Sequence, residues 1–193
     1  MTPTGRNALD RRTVLGSIGT GSLAALAGCG DDDDNENDES RVEPEAVDVD
    51  DSATWLTTSV TDALTGDEFV IGDFEQPVVI HRFTIGCAVC HSQHHEFDEF
   101  DSRTDVDAEI VDLTIDPRVS SDELQSYAAE DGFEWRFGVS SEAMSGSLVS
   151  EFGQEMNSST ASPIVVVCPS GETYRFDKIA DADELESVID DVC

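Results

Sequence analysis

Hydrophobic positions along the chain fall into short blocks that switch between the period of a strand and the period of a helix. Val78, Val79 and Ile80 form a β-branched run that predicts a buried strand over 78–83. The run stops at Gly86, and behind Cys87-Ala-Val-Cys90 the residues Phe97 and Phe100 mark a helix. Upstream, Thr65-Gly-Asp-Glu-Phe69 predicts a turn and a short strand over 69–71, making a hairpin before the central strand. Glu109-Ile-Val-Asp-Leu-Thr-Ile115 alternates as a second central strand, so residues 78–115 read as a right-handed parallel βαβ unit.

Further on, Ser120-Ser-Asp-Glu123 offers a capping box to a helix bearing Leu124, Tyr127 and Ala128 and ended by Gly132. Phe133, Trp135 and Phe137 alternate as an extended segment, and Met144, Leu148 and Phe152 mark another helix. Ile164-Val-Val-Val167 is a buried strand entered through Ser162-Pro163, and Thr173-Tyr-Arg-Phe176 is its antiparallel partner. A final helix starts at Asp181-Ala-Asp-Glu184 and buries Leu185, Val188, Ile189 and Val192. The apolar periods begin near Thr54, which gives one folded domain over 54–193.

Composition changes the picture mainly at the surface. The chain of 193 residues has 43 Asp and Glu against 10 Lys and Arg, for a net charge of −33, and Lys178 is the single lysine. Such a balance excludes nucleic acid as a natural partner. With 38% apolar residues the chain is not disordered throughout, so the acidity suggests a surface suited to very high salt. From Gly30 to about residue 53 the chain is polar and acidic without any apolar period, which predicts a disordered tether.

The first 29 residues read as a targeting segment. Arg11-Arg12-Thr-Val-Leu15 is a twin-arginine sequence, and the small and apolar stretch from Val14 to Ala27 is too short to span a bilayer. It ends in Leu26-Ala27-Gly28-Cys29, which resembles a lipobox cleaved before a lipidated cysteine. Export and anchoring to the outer face of the cell membrane through Cys29 are the expectations. Export would place the other cysteines where disulfides persist.

The strand–turn–Cys-x-x-Cys–helix order has a redox rationale of its own. Cys87 falls where unpaired backbone N–H groups and the positive end of the helix favour a thiolate. Cys90, one turn later, is within reach to resolve a mixed disulfide. This βαβ unit with Cys-x-x-Cys, followed by a proline-led strand, a hairpin and a helix, resembles the thioredoxin superfamily from about Gly66 to Val192. The leading hairpin and the insertion before Pro163 look most like its membrane-tethered TlpA and redoxin branch.

The resemblance implies an α/β thioredoxin-like fold: a central mixed sheet flanked by helices, an N-terminal hairpin, and an insertion before a strand led by a cis Pro163. It implies a thiol–disulfide oxidoreductase working on protein thiols and disulfides without a cofactor or metal, recharged by a membrane or soluble redox partner. Cys87, Cys90, Pro163 and His81 would be catalytic, and Gly86, Ser162 and Pro163 would meet the substrate. His81 stands six residues before Cys87, where thioredoxins often bury an acid; it either relays a proton to Cys90 or packs without a role. In this topology Cys168 and Cys193 lie at the end opposite the motif, where a structural disulfide between them is expected.

Other readings of the same residues stay open here. Val111 to Tyr127 and Trp135-Arg-Phe137 are similar to the Sco copper-chaperone branch, although the Cys spacing is two and no histidine follows His95. Cys87-Ala-Val-Cys-His91 also fits c-type haem attachment, with Met144 or Met156 as axial ligand. A zinc or copper site could draw on Cys87, Cys90, His91 and His94. His91 either favours the Cys87 thiolate or is simply exposed, and His94 and His95 are expected at the surface.

Overall fold

The computed structural model describes residues 44–103, 106–158, 160–176 and 180–193. The targeting segment, Cys29 and most of the tether lie outside these residues. Eight strands are described: β1 (Glu45–Val47), β2 (Ser59–Thr61), β3 (Glu68–Val70), β4 (Val78–Phe83), β5 (Glu109–Thr114), β6 (Arg136–Val139), β7 (Ile164–Val167) and β8 (Thr173–Phe176). Five helices accompany them: α1 (Thr54–Thr57), α2 (Ala88–Asp101), α3 (Ser121–Asp131), α4 (Glu142–Phe152) and α5 (Ala182–Val192).

Six strands form one mixed sheet in the order β1-β8-β7-β4-β5-β6. β4, β5 and β6 run parallel, while β7 is antiparallel to β4 and β8 antiparallel to β7. Every residue of β4 is buried, as a central strand covered on both faces must be. Its alternation sends Val79 and Phe83 toward α2, α3 and α5, and Val78 and Ile80 toward α1 and α4. β2 and β3 make the leading hairpin, and β6 packs beneath it so closely that a Cβ on Gly138 would meet the Val60 Cγ1 atom at 2.5 Å.

Local chemistry sets the helix ends. Ser120 with Glu123 and Asp181 with Glu184 each close a reciprocal capping box, at α3 and α5. The Ser141 hydroxyl caps α4. Four-residue α1 is too short to show a helical period in sequence, yet it buries Trp55 completely.

The aromatic alternation at 133–137 reads as a short strand or extended segment; strand pairing begins at Arg136, and Phe133 and Trp135 enter the core from the segment before it. One boundary differs from the sequence expectation. Residues 45–47, assigned by composition to the tether, form β1 on the outer side of β8. An open β8 edge is a pairing template, and Glu45 stands opposite Arg175 with its carboxylate 3.3 Å from the guanidinium. The folded chain therefore starts earlier than residue 54.

Candidate active site around Cys87 and Cys90

β4 ends at Phe83, and the turn into α2 is made by Thr84, Ile85 and Gly86. Gly86 adopts φ +85°, which a side chain would strain, and the Cys87 N–H donates to the Thr84 carbonyl at 3.1 Å. Cys87 is thereby the N-cap of α2, with its sulfur accepting from the Cys90 N–H at 3.2 Å. Cys87 and Cys90 form a disulfide with Cα atoms 5.3 Å apart. Cys87 is partly exposed and Cys90 fully buried. Flanking them, Ile85 and Val89 are 41% and 39% exposed, an apolar rim on both sides of the outer sulfur. Once reduced, the outer sulfur sits where the helix N-terminus stabilises negative charge.

Antiparallel pairing brings the start of β7 beside the end of β4: Ile164 stands opposite His81, and the Arg82 N–H donates to the Pro163 carbonyl at 3.2 Å. Ser162 has φ +49°, rare for a residue with a side chain, and both Ser162 and Pro163 are buried. The Ser162 side chain is fully buried. It is turned inward, with its hydroxyl 2.7 Å from the Nε2 atom of His81. Thr160 is exposed and Ala161 half-buried, so these two face outward on this loop.

Beneath lies a polar network that the sequence reading only touches. His81 and Asp112 are direct cross-strand neighbours, with Nδ1 2.5 Å from Oδ1. The same carboxylate is 3.1 Å from the Nε2 atom of His94 and accepts from the Trp135 indole N–H at 2.5 Å. The Nδ1 atom of His94 meets the Tyr127 hydroxyl at 2.8 Å. His81, His94 and Asp112 are all fully buried. His94 is therefore not a surface residue: it shares the inward face of α2 with Cys90 and Phe97, and that i, i+4, i+7 spacing was the available signal.

Burial alone would push the Asp112 carboxyl up, but the imidazoles of His94 and His81 and their hydrogen bonds outweigh it and hold the group well below the usual carboxylate range. Burial pushes His81 down from its ordinary 6.5, against the pull of Asp112. The Nδ1 atom of His81 faces the Asp112 carboxylate and its Nε2 atom faces the Ser162 hydroxyl, so both ring nitrogens are engaged. Asp112, His81 and Ser162 stand in the order of a hydrolytic relay, and all three are buried.

Arg82 takes the other face of β4. It is fully buried and donates to the Met156 carbonyl at 3.1 Å and to the Ser140 and Ser145 hydroxyls, and burial lowers its pKa to about 10. It ties β4 to the insertion carrying α4.

The residues named for other cofactors do not converge. Met144 and Met156 are buried on the α4 side of the sheet, away from the face that receives α2, so neither suits a haem attached at Cys87 and Cys90. His94 is engaged inward by Asp112 and Tyr127, which removes it from a site with the two cysteines. Cys168 and Cys193 are bonded at the other end of the sheet, with Cα atoms 5.1 Å apart. A recess of about 460 Å³ lined by Leu56, Phe74, Val78 and Cys168 also lies at that end, remote from Cys87.

No family model matches the sequence, and a search of curated proteins finds no match. Solved structures do match. BsSco, a member of the Sco family of cytochrome c oxidase assembly proteins described as having a disulfide switch, is 12% identical with a TM-score of 0.59, over 77% of this chain and 95% of that one. A secreted Mycobacterium tuberculosis disulfide oxidoreductase homologous to Escherichia coli DsbE is 14% identical with a TM-score of 0.56, over 72% and 98%. A DsbF homologue from Corynebacterium diphtheriae is 18% identical with a TM-score of 0.53, over 70% and 86%. The chain has a thioredoxin-like α/β fold, with a central mixed sheet flanked by helices. On that fold, the bonded Cys87–Cys90 pair sits at the start of α2. Among the described residues no helix is long and apolar enough to cross a membrane.

Proposed function

We propose that this protein is an extracytoplasmic thiol–disulfide oxidoreductase acting on protein thiols and disulfides through Cys87 and Cys90. The observation that carries the reading is a partly exposed cysteine at a helix N-cap bonded to a fully buried one, with exposed Ile85 and Val89 close by in sequence. A client thiolate attacks the Cys87 sulfur, the Cys87–Cys90 bond breaks, and Cys90 leaves as a thiolate. The client's second thiolate then displaces Cys87, so two client thiols give up two electrons to form one disulfide and the pair departs as a dithiol. The reverse sequence reduces a client disulfide.

His81 is a positioning residue in this reading: it holds Ser162 inward, and with it the loop leading to Pro163. The extended client would lie along the outward face of that loop and across Gly86. Export by the twin-arginine sequence and a lipid anchor at Cys29 complete the proposal, supported by the order of those motifs. The test is insulin reduction by dithiothreitol. The protein should accelerate it and Cys87→Ser should return it to the uncatalysed rate; acceleration that survives this substitution overturns the reading.

A second reading, copper binding of the Sco type, is favoured by the likeness to BsSco. All four histidines of the chain lie at 81, 91, 94 and 95, so none is on the loop before β7. Stoichiometric Cu(I) binding lost in Cys87→Ser, without insulin reduction, would select it.

A further inference from the structure

We propose that His91, His95 and Asp131 form a binding site for a divalent transition-metal ion, on the outer flank of α2 just beyond the Cys-x-x-Cys motif. The inference is independent of the redox reading. His91 and His95 are four residues apart on one helix face, the arrangement by which two imidazoles present nitrogens to one ion. Asp131, the last residue of α3, supplies a carboxylate from a second element. One ligand atom from each of the three lies within 4.8 Å of the other two.

The pieces are pre-set. The Nε2 atom of His91 is 2.9 Å from the Oδ2 atom of Asp131, and their side chains are 41% and 29% exposed, so an ion can enter. The two imidazoles meet edge to face with centroids 4.6 Å apart. Phe133, itself buried, packs against both rings, with centroids 6.4 Å from His91 and 5.9 Å from His95, and limits their rotation. His95 makes no hydrogen bond among the described residues, so its nitrogens are available. Bonds of about 2.0–2.2 Å in tetrahedral geometry place ligand atoms roughly 3.3 Å apart, a closure of about 1.5 Å at most from the observed spacing.

Two imidazoles and one carboxylate suit zinc and copper(II) better than magnesium or calcium, which prefer all-oxygen shells. Three protein ligands leave a coordination position for water or a partner's side chain. A plain surface ion pair between His91 and Asp131 would explain their contact, but it gives no reason for His95 to be packed beside them against the same phenyl ring. Because the ligands come from α2 and α3, an ion would cross-link these two helices and stabilise the folded state.

The test is calorimetric titration of the untagged, oxidised protein with Zn²⁺ in molar KCl, where the disulfide removes the thiols and salt suppresses loose binding to surface carboxylates. One ion per chain is expected, with a raised melting temperature reversed by chelator. His95→Ala, which breaks no hydrogen bond among the described residues, and Asp131→Asn should each weaken binding by about tenfold or more. A Cys87→Ser, Cys90→Ser protein should bind as the parent does. Binding that needs the reduced thiols, binding unaffected by His95→Ala, or no saturable binding at all would each overturn the proposal. If Zn²⁺ binds as expected while insulin reduction is absent, the metal site stands and the redox reading alone falls.

Discussion

The protein carries two disulfides at opposite ends of one sheet; each joins a buried cysteine to a more exposed one, and they differ in their place on a helix and in the loop they close. Cys87 is partly exposed at a helix N-cap and closes a separation of three residues. Cys168 is buried at the end of β7, its sulfur 3.5 Å from the Val192 carbonyl, and its bond to Cys193 closes a separation of 25 residues. A short loop at a helix start constrains the unfolded chain little, and the helix N-terminus favours the thiolate released when the bond opens. The long loop ties α5 to the sheet and should act chiefly on the unfolded ensemble. One bond is therefore placed for exchange and the other for holding.

That contrast is open to direct attack. The largest effect expected is on turnover: Cys87→Ser should abolish catalysed insulin reduction, while urea denaturation should show a loss of only about 1.6 kcal/mol by the loop-entropy relation. Removing the far pair by Cys168→Ser with Cys193→Ser should do the opposite, costing about 3.5 kcal/mol by the loop-entropy relation while the catalysed rate persists. If the double variant also loses activity, the two ends are coupled and the division of labour is wrong. Next in size, Gly138→Ala should cost roughly 1–3 kcal/mol in chemical denaturation, because its Cβ must displace Val60 on the hairpin.

The smallest effect is a pH dependence, and its sign follows from the buried network. His81 is lowered from 6.5 in the folded state, so between its folded and unfolded values the unfolded chain binds the extra proton. Stability should fall as pH drops below about 6.5. Asp112 is also lowered, so its contribution is present above its ordinary value of 3.8 and is lost as pH falls further. Thermal melts of the parent should thus slope downward from pH 7 to pH 5, and His81→Asn should flatten that slope. An unchanged slope would show that His81 does not titrate in this window.

How much of this could be read beforehand depended on whether a residue announced itself by pattern. The β4, β5 and β7 strands are apolar runs, α3 and α5 carry capping boxes, and the turn before Cys87 needs Gly86, so the frame and the cysteine pair were legible. His94 and Asp112 were not. A charged or polar residue inside an apolar period normally points outward, and only its partners across the fold reveal the exception. Asp112 shares a strand face with buried Ile110 and Thr114, yet what justifies a carboxylate there is the convergence of His81, His94 and Trp135 from elsewhere in the chain. The inward turn of Ser162 was hidden for the same reason, since His81 lies 81 residues away.

β1 has a consequence for where the chain joins the sheet. Glu45 pairs with Arg175, which lies level with Val165 and Ile80, whereas Val47 lies level with Thr173, Val167 and Val78. The chain therefore enters the sheet from the edge where β4 hands over to Cys87.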